Sequence, residues 1–245
     1  MFMKMALLRR KNILNKKIYR HEQKYIISYS EKEQLEKKLA SVMNIDRYVK
    51  NGKSYTIRSL YFDDMWRAAY DEKLMGINSR KKFRIRIYDF SSDIIRLERK
   101  RKLGNYIKKD SAVLSLEEYN KIIEGDFEFL FYRKEEICRE FYFECIANGT
   151  RPAVIVDYDR IPYVYPYGDV RITFDIDVRT GIFLQDIFSD NIPTFETMDS
   201  GKLILEVKFT EFLPNLIRDL LQIEESEYTS VSKYVMCMEK ILEYR

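Results

Sequence analysis

Between Arg80 and Lys102, two candidate strands carry charged side chains, most of them basic, on alternate residues. In a β-strand this period of two puts the charges on one face and the apolar side chains on the other. Two such strands joined by a short turn-rich gap form a hairpin, so their charged faces lie side by side. Arg and Lys clustered on one face suit the binding of an anion. The charged faces hold Arg84, Arg86 and Tyr88 on the first strand and Arg96, Glu98, Lys100 and Lys102 on the second.

The same mixture of charges recurs on three further predicted strands, which must lie beside the hairpin if all of them form one site. Exposed faces of antiparallel sheets commonly carry Lys, Arg and Glu, so any one strand fits an ordinary solvated sheet. Repetition over five strands favours a functional surface. The three strands are Arg20–Ile27 with Glu22 and Lys24, Val170–Asp177 with Arg171 and Asp175, and Leu203–Phe209 with Glu206 and Lys208.

The positions of these strands predict an α+β fold, in which a closed antiparallel eight-stranded β-tunnel has helices packed outside it. The charged faces would then line the interior. Dry burial of so many cations would cost several kcal/mol per ion, so the interior must hold water or a polyanion. The other predicted elements are a helix from Ser30 to Met43 with a Ser30–Glu33 capping box, an Asn51–Gly52 turn, a Tyr55–Asp63 strand, an Asp64–Leu74 helix that packs Trp66, an Asn105–Lys109 strand, a helix capped by Ser115, helical segments over Gly125–Asn148, an Arg151–Arg160 strand, a Pro162–Gly168 loop, and closing helices over Pro214–Ile223 and Ser230–Tyr244.

Composition narrows the class of protein. The 245 residues are 46% hydrophobic and 33% charged with a net charge of +4, so the chain is a folded globular one and nucleic acid is not its expected partner. Three cysteines without a Cys-x-x-Cys pair indicate neither disulfides nor zinc. No apolar run reaches the ~20 residues of a membrane helix. We therefore expect a cytoplasmic protein without an integral membrane segment, in which residues 1–17 form a basic extension or helix and residues 18–245 a single domain. A basic N-terminal helix on a membrane surface is the alternative.

The ordered motifs resemble a known family. Glu22-x-Lys24-Tyr25, Ser59-x-Tyr61-Phe62-Asp63, Arg84-x-Arg86-x-Tyr88, Glu98-Arg99-Lys100, Tyr158-x-Arg160, Val170-Arg171-Ile172, Leu205-Glu206-Val207-Lys208 and Ser232-Lys233-Tyr234 follow one another over about residues 18 to 240. Together they resemble the catalytic domain of the vacuolar transporter chaperone (VTC) polyphosphate polymerases, a branch of the triphosphate tunnel metalloenzymes. Each motif alone is weak, whereas the ordered set is specific.

The resemblance implies a site. It gives Glu206 as the main metal ligand with Glu22 and Glu98 near it, and Mn²⁺ or Mg²⁺ as the metal. Lys233 would contact the polymer near the end of the tunnel. Lys108 is the implied phosphate ligand on its strand, and the adjacent Lys109 is the alternative. The implied catalytic and phosphate-binding residues are Lys24, Arg84, Arg86, Lys100, Lys108, Arg160, Arg171 and Lys208, with Tyr88 and Lys233 added for substrate binding.

The activity that the resemblance implies is transfer of a phosphoryl group from a nucleoside triphosphate such as ATP to a growing inorganic polyphosphate chain. Two alternatives stay open: hydrolysis of triphosphate or polyphosphate on the same fold, and a polyphosphate-binding module without catalysis. Eukaryotic VTC subunits also carry a phosphate-sensing domain and membrane helices, which this sequence does not show, so sensing and translocation are not implied. Protein partners and oligomeric state stay open.

Overall fold

Ten strands and seven helices form within the described residues of the computed structural model, which are 20–49, 54–104, 106–181, 186–221 and 230–244. The predicted extension 1–17 and the Asn51–Gly52 turn lie outside them. The strands are β1 Arg20–Ser28, β2 Asn44–Ile45, β3 Tyr55–Asp63, β4 Ser79–Tyr88, β5 Ser91–Leu103, β6 Tyr106–Leu114, β7 Arg151–Val164, β8 Arg171–Gly181, β9 Thr194–Glu196 and β10 Lys202–Thr210. The helices are α1 Tyr29–Leu39, α2 Ala68–Leu74, α3 Leu116–Glu124, α4 Glu128–Phe131, α5 Glu136–Ala147, α6 Asn215–Leu221 and α7 Lys233–Glu243.

The charged hairpin predicted from the alternating residues is formed by β4 and β5. Only Asp89 and Phe90 connect the two strands, so the loop is shorter than the predicted gap. Both residues have positive φ, 47° and 57°. Two consecutive positive φ angles are typical of the tight turns whose twist matches that of antiparallel strands. The Arg58 guanidinium lies 4.3 Å from the centre of the Phe90 ring and helps to hold it.

One antiparallel sheet contains all ten strands. Eight follow the path β1-β10-β8-β7-β3-β4-β5-β6, while β2 pairs with β7 and β9 with β8. Within the described residues the end strands β1 and β6 are not hydrogen-bonded to each other. The α+β class is confirmed, but the predicted closed eight-stranded tunnel is not. A period of two assigns each side chain to a face, but it does not specify whether the two ends of a sheet meet.

Helices cover the sheet unequally. Helices α3, α4 and α5 pack on the apolar faces of β3 to β6, and α1 and α6 pack on those of β1, β7, β8 and β10. Helix α7 lies on the opposite face, where Tyr234, Val235 and Met238 contact Ile57 and Val156. The charged face of the sheet is therefore covered only in part by the last helix, and the remaining space can form a site.

Two arginines occupy strand positions at which the alternation predicts buried apolar residues. The side chains of Arg58 and Arg99 are buried, at 2% and 1% exposure, although both are charged. Arg58 donates to Asp157 at 2.7 Å, and Arg99 donates to Asp110 at 2.6 Å. A buried charge is tolerated when it has a hydrogen-bonded partner of opposite sign. These two arginines belong to the packing and not to the charged face.

Three local predictions were wrong. Helix α1 is capped by Ser28 with Glu31 and not by Ser30, because both serines are followed by glutamate three residues later and the strand pairing of β1 continues to Ser28. Trp66 is 76% exposed, since helix α2 begins only at Ala68. Pro162 lies within β7, where its missing N–H does not prevent pairing with β8.

The cap assignment can be tested directly. The Ser28 hydroxyl accepts from the backbone N–H of Glu31, whose carboxylate accepts from the backbone N–H of Ser28. We expect Ser28→Ala to lower the free energy of unfolding by about 1 kcal/mol. The matched variant Ser30→Ala should change it by less than about 0.5 kcal/mol. Urea unfolding measures both, and a larger loss for Ser30→Ala would contradict the assignment.

Candidate functional site

A cavity of about 420 Å³ lies between the charged face of the sheet and helix α7. Residues from seven strands line it, together with α2, α7 and the segment Ser230–Ser232 that precedes α7. Lys and Arg greatly outnumber Asp and Glu among these lining residues. Such an excess of positive charge in a concave site attracts and holds multivalent anions.

Arg84 and Glu98 occupy directly opposed positions on β4 and β5. Two nitrogens of the Arg84 guanidinium donate to one oxygen of Glu98 at 2.6 and 2.8 Å, and a third donates to the Tyr61 hydroxyl at 2.7 Å. Arg86 lies 3.8 Å from the same carboxylate. Burial raises the pKa of Glu98, but Arg84 and Arg86 outweigh it and lower the pKa to about 2. Glu98 is therefore ionised and fixes both arginines.

Glu206 is the most deeply buried carboxylate that lines the cavity. Lys208 donates to it at 2.6 Å and Arg160 at 3.4 Å. Arg160 also makes a bidentate pair with Asp175, at 2.6 and 2.7 Å, and Lys233 of α7 pairs with the same aspartate. Burial raises the pKa of Glu206, but Lys208 and Arg160 outweigh it, so the pKa lies well below its usual value.

Glu22 connects the two ends of the open sheet. It lies on β1, and its carboxylate is 3.3 Å from Lys100 on β5 and 3.5 Å from Lys109 on β6. Lys24, two residues along β1, lies 3.5 Å from it as well. Burial raises the pKa of Glu22, but the lysines outweigh it and lower the pKa to about 2. Ion pairs thus bridge strands that share no backbone hydrogen bond in the described structure.

Comparison with known proteins identifies the family of this chain. A family profile described as the VTC domain matches residues 19–242. The chain belongs to the VTC domain family. This confirms the resemblance inferred from the ordered motifs. A search of curated proteins finds no match.

Solved structures similar to this VTC domain are distant in sequence. A putative adenylate cyclase from Bacillus halodurans is 13% identical, with 82% of this chain and 84% of that chain covered and a TM-score of 0.45. A putative adenylate cyclase from Vibrio parahaemolyticus is 10% identical, with coverage of 92% and 98% and a TM-score of 0.48. A conserved hypothetical protein from Pyrococcus furiosus is 13% identical, with coverage of 89% and 99% and a TM-score of 0.48.

Ten of the thirteen predicted site residues line the cavity of the VTC domain. Arg171 does not: it donates to Tyr55 at 3.2 Å and pairs with Asp46 at 2.8 Å. The ring of Tyr88 lies 6.1 Å from the same Tyr55, also away from the lining residues. The ten that line it are Glu22, Lys24, Arg84, Arg86, Glu98, Lys100, Arg160, Glu206, Lys208 and Lys233.

Lys108 is the third predicted residue outside the cavity. Its side chain is 61% exposed and pairs with Asp110, whereas Lys109 lines the cavity and reaches Glu22. The register of β6 decides this, because neighbouring residues of a strand face opposite sides. Lys109 therefore replaces Lys108 as the candidate phosphate ligand.

Some lining residues were not predicted. Arg80 and Lys82 continue the alternation of β4 by two steps, so extending the strand backwards from Phe83 would have found them. Tyr61 stood in a motif without an assigned role. Lys73 of α2 carries no local signal, because tertiary packing alone brings it to the site. Asp175, which the alternation had placed on the charged face of its strand, holds Arg160 without itself lining the cavity.

The carboxylates fit a divalent ion that arrives with phosphate. Within the described ranges, no group of three or more His, Cys, Asp or Glu could hold a metal by itself. Mg²⁺ commonly takes one or two carboxylates and completes its shell with water and substrate phosphates. Glu206 and Glu22 lie close enough for the charge on Glu206 to raise the pKa of Glu22, opposing the lysines. This pair suits such shared coordination, while Glu98 is held by two arginines.

The two adjacent lysines of β6 provide a test of the register. We expect Lys109→Gln to weaken binding of inorganic tripolyphosphate by about tenfold, since one charged contact is removed. Lys108→Gln removes the same charge outside the cavity and should change affinity by less than about twofold. Isothermal titration of the wild type and both variants measures this. Equal losses of affinity in the two variants would contradict the assignment of Lys109 as the lysine of β6 that binds the ligand.

Acid should destabilise the domain through its ion-paired carboxylates. The pKa of Glu98 is about 2 in the fold and lies below its unfolded value, so its contribution is complete above about pH 4.5. That contribution is lost as the pH falls towards about 2, by no more than about 3 kcal/mol. Urea unfolding at pH 7 and at pH 3 measures this. Between these two pH values, the free energy of unfolding should fall less in Glu98→Gln than in the wild type. Glu117→Gln, at a carboxylate that is 79% exposed, is the control and should follow the wild type.

Proposed function

We propose that this VTC domain transfers the γ-phosphate of a nucleoside triphosphate, with ATP as the expected donor, to the end of a growing inorganic polyphosphate chain. One observation carries the proposal: Arg84, Arg86, Arg160, Lys208 and Lys233 converge on a single cavity in a member of the VTC domain family. A polyphosphate chain repeats the same charge at every unit, and a cavity lined by cations from many strands can bind it at several points.

The proposed reaction needs no covalent enzyme intermediate. An oxygen of the terminal phosphate of the chain attacks the γ-phosphorus, the bond to the β–γ bridging oxygen breaks, and the nucleoside diphosphate leaves with that electron pair. Such transfers are accelerated mainly by alignment and by neutralisation of the charge on the phosphoryl oxygens. Arginine contributes planar bidentate contacts to phosphate, and lysine a mobile point charge. The proposed phosphate ligands are Lys24, Arg84, Arg86, Lys100, Lys109, Arg160, Lys208 and Lys233.

Mn²⁺ or Mg²⁺ is the proposed cofactor. Glu206, with Glu22 beside it, would hold the ion through carboxylate oxygens, which hard divalent cations prefer. When bound, the ion would neutralise negative charge on the triphosphate oxygens. The protein side chains hold the triphosphate and the chain end in place: Arg84 and Arg86 are fixed by Glu98, and Arg160 and Lys233 by Asp175.

The cavity is also proposed to be a passage for the polymer. The ion pairs of Glu22 with Lys100 and Lys109 support this, because they join the two ends of the sheet around the cavity. No helix of the described structure is long and apolar enough to span a bilayer. ATP as donor and three unpaired, buried cysteines fit the cytoplasm, the proposed location.

A non-catalytic polyphosphate-binding module is the second candidate, and one observation favours it. Glu22, Glu98 and Glu206 are each engaged by Lys or Arg side chains, so a metal would compete with these cations for the carboxylates. A receptor would use the same basic cavity and would need no metal.

The first experiment follows ATP and Mn²⁺ by ³¹P NMR with the wild type, Arg84→Gln, Glu206→Gln and Arg171→Gln. We expect the signal of bridging phosphates to grow in the wild type. Arg84→Gln should slow this growth by about 100-fold, because it removes one group that stabilises transition-state charge. Arg171→Gln, an arginine outside the cavity, should retain activity.

The outcomes separate the candidates. Growth of orthophosphate alone would identify a hydrolase on the same fold, and an unchanged ATP spectrum together with binding of preformed polyphosphate would support the receptor. Circular dichroism melting of each variant shows whether it is folded. This control matters most for Glu206→Gln, which leaves buried cations without their partner.

A further inference from the structure

Four cations form a group at one end of the cavity. They are Lys73 on α2, Arg80 and Lys82 on β4, and Lys102 on β5, and we call them the mouth cluster; all four line the cavity. Arg80 and Lys102 are directly opposed in the hairpin, and Lys82 is opposed to Lys100. Like charges in opposed positions destabilise a sheet pair. Packing gives no reason for this arrangement.

The mouth cluster lacks the ion pairs that the deeper cations make. Lys73 donates to the backbone carbonyl of Ser230 at 3.3 Å, and Arg80 to that of Ile77 at 2.5 Å. Within the described residues, no carboxylate forms a salt bridge with any of the four. By contrast, Arg84, Arg160 and Lys208 each contact a carboxylate within 3.4 Å.

Lys82 is the most unusual member of the cluster. Its ammonium nitrogen is buried without a hydrogen-bond partner in the described structure and lies 3.9 Å from the centre of the Tyr234 ring. The cation–π contact orients the ammonium group but does not replace a hydrogen bond. An orphaned buried donor costs free energy unless a ligand satisfies it.

The carboxylate that acts on Lys82 is already engaged. Asp63 acts on Lys82 electrostatically, but it accepts from the backbone N–H groups of Asp64, Ala69 and Tyr70 and from the Tyr234 hydroxyl. Asp63 therefore fixes the start of α2. The other charged groups that face Lys82 are Lys73, Arg80 and Lys100, all cations.

We propose that the mouth cluster is a second anion subsite, which holds a segment of a condensed-phosphate chain beyond the phosphates bound near Arg84 and Arg86. This inference rests on the proposed function in taking phosphate as the ligand of the deeper cavity. Arg80 lies four residues from Arg84, about 13 Å along the strand. A long chain spans both groups of cations, whereas a short one occupies the deeper group alone. The mouth cluster thus makes affinity depend on chain length.

The experiment compares two probes, inorganic tripolyphosphate and long-chain linear polyphosphate, by isothermal titration. We expect the double variant Arg80→Gln/Lys102→Gln to weaken long-chain binding by about tenfold for each charge removed and to leave tripolyphosphate binding within about twofold. Lys81→Gln is the matched control. It lies between Arg80 and Lys82 but pairs with Glu140 and Glu144 on the opposite face, and it should affect neither probe.

The outcomes are distinct from those of the activity test. Equal losses for both probes, or no loss for either, would overturn the second subsite. Chain-length-dependent loss in a protein that makes no polymer would support the subsite and refute the polymerase. Failure of the wild type to bind either probe would refute both.

Proton uptake gives a second readout that packing alone would not change. Burial, with Lys73 and Arg80 beside it, lowers the pKa of Lys82 to about 7, so the side chain is mostly neutral at pH 8. A bound phosphate favours the charged form, and long-chain binding at pH 8 should therefore take up a proton. Titrations in buffers of different ionisation enthalpy measure the uptake.

The matched variant is Lys82→Arg, whose guanidinium is charged at every pH used. It should retain most of the long-chain affinity and take up fewer protons than the wild type. Lys82→Gln should lose both affinity and uptake. Uptake in Lys82→Arg equal to that of the wild type would remove Lys82 from the subsite.

Discussion

The arrangement of the domain depends on a few buried carboxylates that hold mutually repelling cations together. Asp175 has no exposed surface and pairs with both Arg160 and Lys233, which joins β7, β8 and α7 at one point. Glu98 joins β5 to β4 through an ion pair, and Glu206 joins β10 to β7. Burying a single charge costs several kcal/mol, and it is tolerated only when partners of opposite sign are near. Without these carboxylates, the cations around the cavity would repel one another with no compensating charge.

The same pairs determine what a ligand must do on entry. Glu98 accepts from two nitrogens of Arg84, and Tyr61 accepts from the third. An incoming phosphate must therefore share or displace these acceptors. Because the guanidinium is already oriented, little side-chain entropy is lost when it exchanges one anion for another. If phosphate is the ligand, as proposed, the carboxylates occupy the arginines until it binds, and this would explain why acidic residues lie in a basic cavity.

Most of the fold followed from the sequence because the period of two is explicit on β1, β4, β5, β8 and β10. Eight of the ten predicted residues that line the cavity lie on four of these strands, whereas Arg160 and Lys233 were predicted only from the family resemblance. The misplaced or missed residues needed information that a local pattern does not contain. Lys108 and Lys109 differ only by strand register, and Lys73 reaches the cavity through tertiary packing of α2. Arg58 and Arg99 stand where the alternation predicts apolar residues, and their burial is explained by carboxylates that the local pattern does not reveal, Asp157 for Arg58 and both Asp110 and Glu140 for Arg99.

The pairing of the first strand has a consequence for biosynthesis. Among the described strands, β1 hydrogen-bonds with β10 alone, so its partner is synthesised only after β2 to β9 have been made. Such long-range pairing forms late in folding. Until then β1 is an unpaired edge, which invites association with other chains. Glu22 and Lys24 place charge on this edge, a common protection of exposed strands against association. We therefore expect residues that later face the cavity to limit association of the nascent chain as well.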